Sequence, residues 1–297
     1  MKEVRVLAPA KVNLDLAVLG RREDGFHELR TTMLLVGLAD ELRLKPTKVA
    51  GVHLKLGGPA LGEDMPRDSS NLAVAALEQG LAALKQVGEE VPGIELELIK
   101  RIPSGAGLGG GSSDAAAALH GLQELLGAQI APGVVQSILA GLGSDCVYFQ
   151  AARSTGLGRC SGRGELVEPL EAPKAWWVVL VTPDVFASTP RVFMALDAPP
   201  FKKSAVLPED PDWSQLSAED ARALQHNDLQ GAALRAIPEL RAWRELLDRD
   251  FVLSGSGASF YSLCADQDEA ENLLETVRGA CERGGHHPRF LEALPLA

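Results

Sequence analysis

Apolar residues alternate with glutamates in Ile94, Leu96 and Leu98 against Glu95 and Glu97, the period-two pattern of a half-buried strand reaching Lys100. The same period in Leu14, Leu16 and Val18 predicts a strand over Val12–Leu19, with another over Glu3–Leu7, the two meeting at Ala8–Lys11. Arg21–His27 reads as a turn at Asp24–Gly25, and Leu29–Leu44 as strand pieces broken near Ala39–Asp40. Elsewhere the period is helical. Ser69, Ser70 and Asn71 offer caps for a helix to about Val87, with Ala73, Leu77, Leu81 and Leu84 on one face. A helix from Ser113 carries Ala115, Leu119, Leu122 and Leu126, and another runs over Pro132–Leu142 on Val134, Val135, Ile138, Leu139 and Leu142. A short loop, Gly143–Cys146, ends this part of the chain.

Arg153–Gly164 is rich in Gly, Ser and Arg, which marks a change of regime and sets an expected domain boundary near Gly158, giving domains 1–158 and 159–297. Beyond it come a buried strand (Trp177–Val181), a helix after Thr189–Pro190 and a charged, proline-containing excursion over Pro199–Trp213. Helices are expected over Ala218–Leu229 and Glu239–Leu247. Strand Phe251–Leu253, glycine turn Ser254–Ser259, strand Phe260–Cys264, helix Glu269–Glu282 and a last strand complete the chain. Helices on one side of an antiparallel sheet make the expected class α+β.

Composition narrows the function. The 297 residues are 46% hydrophobic and 23% charged, ordinary for a folded globular chain. A net charge of −11 argues against a general nucleic-acid surface, because such binding neutralises many phosphates with Lys and Arg. Cys146, Cys160, Cys264 and Cys281 lack metal or disulfide spacing and suit a reducing cytoplasm. The first strand begins within three residues of Met1 and the apolar runs are short, so neither a targeting nor a membrane segment is expected. Nothing in the sequence sets the oligomeric state. His286 and His287 are adjacent and do not share a face, so they are read as a solvated turn.

The candidate chemistry centres on Pro103–Ala117, PSGAGLGGGSSDAAA, a glycine-rich loop running into an alanine-rich helix. Gly105, Gly107, Gly109, Gly110 and Gly111 leave backbone N–H groups uncovered, and a helix N-terminus favours an anion. The stretch reads as a phosphate cradle rather than a plain linker, since an amphipathic strand and a strong helix flank it. No lysine follows the glycines, so the G-x-x-x-x-G-K-[ST] pattern is not met. G-x-G-x-x-G is met literally by Gly105, Gly107 and Gly110, but the acidic residue about 20 positions on, Glu124, falls inside a helical stretch rather than at a strand end. Three further segments carry polar residues where packing residues would be expected. Lys11 and Asn13 are two apart on a strand and face one way, and Asp145 follows an apolar helix. The glycines of Ser254–Ser259 let a second backbone approach the first loop.

PAKVNL (9–14), DGFH (24–27), PSGAGLGGGSSDAAA (103–117), GSDCVYF (143–149), SGRGE (161–165) and SGSGA (254–258), in this order, resemble the GHMP small-molecule kinase superfamily across nearly the whole chain. The resemblance implies a two-domain α+β fold, with an N-terminal nucleotide-binding domain and a C-terminal antiparallel sheet bearing helices on one side. It implies a kinase using ATP as phosphoryl donor, with Mg2+. PAKVNL and DGFH point to a branch whose small-molecule acceptor is an alcohol linked to cytidine diphosphate, in the methylerythritol phosphate route to isoprenoid precursors.

Carried over by position, Asp145 resembles the general base and Lys11 its partner. Pro103, Ser104, Gly105, Ala106, Gly107, Leu108, Gly109, Gly110, Gly111, Ser112 and Ser113 would wrap the ATP phosphates, with Lys100 a further nucleotide contact. Phe26 and Phe193 resemble a stacking pair and His27 the reader of the cytosine edge, while Asn13, Thr189 and Pro190 would line the acceptor pocket. The magnesium ligands stay open, with Ser113 the best-placed hydroxyl. Phe26 stands where a tyrosine is usual, GSDCVYF replaces GADVPFF, and SGSGA replaces a threonine-containing version. A kinase of this superfamily for another alcohol, such as homoserine or mevalonate, or a nucleotide-binding regulator without catalysis, are the alternatives.

Overall fold

The computed structural model of the chain describes residues 3–63, 65–197 and 211–297. It divides into two compact units, Met1–Ala10, Leu38–Ser104 and Gly109–Arg153 in the first, and Lys11–Gly37, Gly105–Leu108 and Ser154–Ala297 in the second. Two long strands, β1 (Val4–Arg21) and β2 (His27–Thr47), contribute to both. Neither expected interruption occurs. Ala8 and Ala10 are fully buried around Pro9, whose fixed φ is compatible with extended chain. Asp40 stays in strand because its carboxylate is satisfied by Lys100 and by the N–H groups of Arg101 and Ile102.

The first unit adds β3 (Val52–Gly57), α1 (Leu72–Gln86), β4 (Gly93–Ile99), α2 (Gly110–Leu126), α3 (Pro132–Leu142) and α4 (Ser144–Ala151). Its sheet order is β3-β4-β2-β1, with β4 parallel to β3 and antiparallel to β2 in the register Leu42↔Leu98 and Leu44↔Leu96. Asn71 caps α1, its Oδ1 accepting the Ala73 N–H at 3.0 Å. A Cβ on Gly80 would lie 2.7 Å from Leu119, so this glycine is what lets α1 lie against α2. Gly121 does the same for α2 over Val6 and Leu44 of the sheet. The expected loop Gly143–Cys146 is instead the start of α4.

The second unit adds β5 (Gly156–Gly162), β6 (Leu166–Glu171), β7 (Trp177–Pro183), α5 (Thr189–Leu196), α6 (Ala218–Leu224), β8 (His226–Asn227), α7 (Leu229–Ala236), α8 (Glu239–Leu246), β9 (Val252–Leu253), β10 (Phe260–Cys264), α9 (Gln267–Gly284) and β11 (Pro288–Pro295). One sheet runs β6-β5-β2-β1-β8, with Leu29↔Gly162 through Leu34↔Leu157 pairing β2 to β5. The other is β11-β7-β10-β9. Its Val179, Val181, Phe260 and Cys264 share a core with Val192 of α5, Leu229, Leu240, Trp243 and Val277, which places α5, α7, α8 and α9 on one face.

The helix expected over Ala218–Leu229 is split, because His226–Asn227 pairs in parallel with Asp15–Leu16 and Asn227 Oδ1 accepts the Leu229 N–H. Of the excursion expected over Pro199–Trp213, residues up to 210 lie outside the described residues, and Trp213 is buried. Among the described residues no helix is long and apolar enough to cross a membrane.

Candidate active site

In the first unit β4 delivers the chain to Lys100–Ser104, and α2 takes it up again after Gly109, so Pro103, Ser104 and Gly109–Ser113 belong here. Gly109 sits at the N-cap with φ 71°, a conformation that strongly favours glycine, and no side chain caps the helix. The first-turn N–H groups of α2 and the positive end of a 17-residue helix therefore face the loop as an anion site. A Cβ on Gly110 would press on Ile102 at 3.0 Å, which keeps the loop tight to the strand end. The hydroxyl of Ser113 is buried without a partner, an oxygen donor left over in the first turn.

Lys100, expected as a further nucleotide contact, is engaged within the fold. It is 2% exposed, and its ammonium donates to Asp40 and, at 2.6 Å, to Asp114 Oδ2. Burial alone would push the ammonium down, but the two carboxylates beside it hold it above its ordinary value. Two carboxylates share one cation. Burial, with Asp40 adding to it, pushes Asp114 up to about 7 against the pull of Lys100. Asp40 Oδ1 accepts the Arg101 and Ile102 N–H groups, whereas Asp114 Oδ1 is buried without a hydrogen-bond partner.

Asp145 lies in the first turn of α4, at the positive end of the helix dipole. Cys146, next in the chain, is buried, and burial pushes its thiol up to about 11, while Val147 stands where the related motif has proline. A Cβ on Gly143 would lie 3.8 Å from the Ser112 hydroxyl, so the start of α2 and the Asp145 turn are neighbours in this unit.

In the second unit Lys11 and Asn13 share a face of β1, as their spacing requires, and Lys11 Nζ donates to Asn13 Oδ1 at 2.7 Å. Asn13 Nδ2 in turn donates to Thr31 Oγ1 at 2.8 Å. The middle of the glycine loop, Gly105–Leu108, is anchored here: the Lys11 N–H donates to Leu108 O at 3.0 Å and the Ser259 N–H to Ala106 O at 3.0 Å. Ser254 Oγ donates to Gly107 O at 3.0 Å. Gly107 has φ 75°, and a Cβ on it would overlap Ser254 O. A Cβ on Gly255 would lie 3.3 Å from Lys11 Nζ. The two glycine turns approach each other as the sequence suggested.

Thr189, at the start of α5 beside Pro190, shares a hydrogen bond of 2.8 Å with Ser256. His27 stacks on Phe193, ring centroids 4.8 Å apart and planes at 26°, and its Nε2 lies 2.9 Å from Asp197 Oδ1. Phe26 is 53% exposed, and the Arg163 guanidinium sits 4.7 Å from its ring centre. The stacked pair within the chain is thus His27 with Phe193, while Phe26 offers a flat surface backed by a cation.

Sequence reasoning missed Thr31, Phe186, Asp40 and Asp114. Phe186 is 70% exposed and rests on Gly105, whose carbonyl accepts the Ala187 N–H at 3.1 Å. A phenylalanine two residues before a Ser-Thr-Pro helix start was the available signal. Among the described residues no group of three or more His, Cys, Asp and Glu stands ready to hold a metal ion. A cation here would need other oxygens.

Two family profiles match the chain: GHMP kinases N terminal domain over residues 71–149 and GHMP kinases C terminal over residues 212–283. A 4-diphosphocytidyl-2-C-methyl-D-erythritol kinase of Geobacter sp. strain M21 is 36% identical over 286 residues, covering 94% of this chain and 97% of the relative. That of Nocardioides sp. is 38% identical over 294 residues, 96% and 95% of the two chains. A crystal structure of a 4-(cytidine 5'-diphospho)-2C-methyl-D-erythritol kinase superposes with TM-score 0.76 at 34% identity, covering 99% of this chain and 100% of that one. Homoserine kinase from Cytophaga hutchinsonii, at 18% identity and TM-score 0.68 over 100% and 95% of the two chains, shares the fold.

Proposed function

This chain belongs to the GHMP kinase family, in the group of 4-diphosphocytidyl-2-C-methyl-D-erythritol kinases, and we propose that it transfers the γ-phosphoryl group of ATP to the 2-hydroxyl of 4-diphosphocytidyl-2-C-methyl-D-erythritol. The products are the 2-phosphate and ADP, in the methylerythritol phosphate route to isoprenoid precursors. The observation that carries the reading is the anchoring of Gly105–Leu108 on the Lys11 backbone, through the Lys11 N–H and Leu108 O, which ties a phosphate loop to a buried lysine.

In this reading Asp145 takes the proton of the acceptor hydroxyl. The oxygen's lone pair attacks the γ-phosphorus, and the bond from that phosphorus to the bridging oxygen of ADP breaks. Lys11 lowers the hydroxyl's pKa and offsets negative charge as the new bond forms. It is 4% exposed, and a charge acting from a water-poor site acts more strongly. Residues Pro103–Ser113 cradle the ATP phosphates through backbone N–H groups and the start of α2.

Magnesium supplies charge neutralisation on the transferring phosphates. The unpartnered Ser113 hydroxyl would suit a hard cation that prefers oxygen. His27 reads the cytosine edge while Phe26 and Phe193 give it flat surfaces, and Thr189, Pro190 and Asn13 line the acceptor's alcohol end. The acceptor is a free small molecule and the reaction is cytoplasmic, consistent with four cysteines left as thiols.

The test is ADP release with Mg2+ and ATP, comparing the cytidyl substrate with homoserine, mevalonate and no acceptor. Release that depends on the cytidyl substrate supports the reading. Equal release with homoserine or mevalonate contradicts it.

A further inference from the structure

We propose that Thr31 is a positioning residue that fixes which way the Asn13 amide faces and thereby holds the Lys11 ammonium in place. The hydrogens around Asn13 admit one arrangement. The ammonium carries donors alone, so the atom it meets at 2.7 Å is Asn13 Oδ1. That turns Nδ2 toward Thr31, 2.8 Å away, where an N–H needs an acceptor. Thr31 has a single hydroxyl hydrogen and donates it to the carbonyl oxygen of Asp15 at 2.5 Å, which leaves a lone pair facing Asn13. Reversing the amide would set N–H groups against the ammonium.

Lys11, Asn13 and Thr31 are each less than 5% exposed, so water does not stand in for a lost partner. The strands that carry them are fixed independently of Thr31's hydroxyl. Asp15 accepts the Thr32 N–H at 2.6 Å and the Thr32 hydroxyl at 3.0 Å. Tyr261 donates its hydroxyl to the Asn13 carbonyl at 2.6 Å and accepts from Gln225 Nε2 at 2.6 Å. Backbone placement therefore comes from Thr32 and Tyr261, and side-chain orientation from Thr31.

The kinetic consequence rests on the reading of Lys11 given above, whereas the orientation does not. Thr31→Val removes the acceptor at nearly equal volume and Thr31→Ser keeps it. Valine should lower kcat about 10- to 100-fold, with the KM for ATP within about 2-fold, and serine should restore kcat to within about 3-fold. In a Lys11→Met background the valine change should be silent, and a crystal structure of Thr31→Val should show the Asn13 amide rotated off Lys11. A general loss of structure would instead lower the Tm of both Thr31 variants and would persist in the Lys11→Met background.

Serine as damaging as valine, or an Asn13–Lys11 bond intact in the Thr31→Val crystal, overturns the inference. Should Thr31→Val fail to fold, Thr31→Cys, with its weakly accepting sulfur, should fall between serine and valine, and a result equal to serine overturns it. Full activity of Lys11→Met would overturn the catalytic reading of Lys11, and the Thr31→Val crystal would then decide the orientation alone.

Discussion

A methyl group placed on Gly107 would run into the carbonyl oxygen of Ser254 and lie 2.9 Å from that of Gly257, whereas one placed on Gly105 would run into the ring of Phe186. Both glycines have positive φ, 75° and 64°, so Gly107→Ala and Gly105→Ala carry a similar backbone penalty of about 1–2 kcal/mol. They differ in what must move. Phe186 is 70% exposed and its ring can swing into solvent. Ser254 is held by its own N–H to Ser259 O at 2.9 Å and by its hydroxyl to Gly107, so one of two anchored turns must shift, adding about 1–3 kcal/mol.

Gly107→Ala should therefore destabilise by about 2–5 kcal/mol and Gly105→Ala by about 1–2. At about 2 °C per kcal/mol these are Tm shifts of roughly 4–10 °C and 2–4 °C. Leu108, next in the chain, accepts the Lys11 N–H, so a displaced loop disturbs the phosphate cradle directly. The KM for ATP should rise at least about 10-fold in Gly107→Ala while that for the acceptor moves less than about 3-fold. Gly20→Ala, which meets nothing within 4 Å, is the control. Equal shifts in Gly105→Ala and Gly107→Ala would refute the reasoning, because φ alone would then account for both.

Asp145→Asn should lower kcat by about 10²- to 10⁴-fold while calorimetric ATP binding stays nearly unchanged. His27→Ala, which removes both the stack on Phe193 and the bond to Asp197, should raise the KM for the cytidyl substrate well above any change in the KM for ATP in steady-state assays. Asp114, ionising near pH 3.8 when unfolded and at about 7 when folded, keeps a proton in the folded state that the unfolded chain has released. Its contribution to stability thus falls as pH rises from about 4 to about 7. Urea unfolding should show Asp114→Asn gaining stability relative to the parent across that window.

The elements legible in the sequence were those whose period and caps agreed. β4 was announced by its alternation with glutamates, α1 by Asn71, and α3 by Pro132 at its first position. The long strands β1 and β2 were harder to read because Pro9 and Asp40 are local breakers whose penalties are removed by contacts distant in sequence. Asp40 is 60 residues from Lys100. β3 was missed although Val52, Leu54 and Leu56 alternate with His53 and Lys55, since six residues between turns carry little pattern.

The approach of the Ser254–Ser259 turn to the glycine loop followed from small residues alone. Lys100 could not be read in this way. Its position just before a phosphate loop suggested a nucleotide contact, and only the fold supplies the two carboxylates that occupy its ammonium. Thr31 was invisible for the same reason, because its part depends on the pairing of Asn13 across strands.

The most direct test of the central claim is 31P NMR of the cytidyl substrate incubated with the protein, ATP and Mg2+. A new phosphomonoester on C2 of the methylerythritol, formed with ADP in equal amount and abolished in Asp145→Asn, is the predicted result. ADP formed without that resonance, or a phosphoryl group on another hydroxyl, would contradict the account.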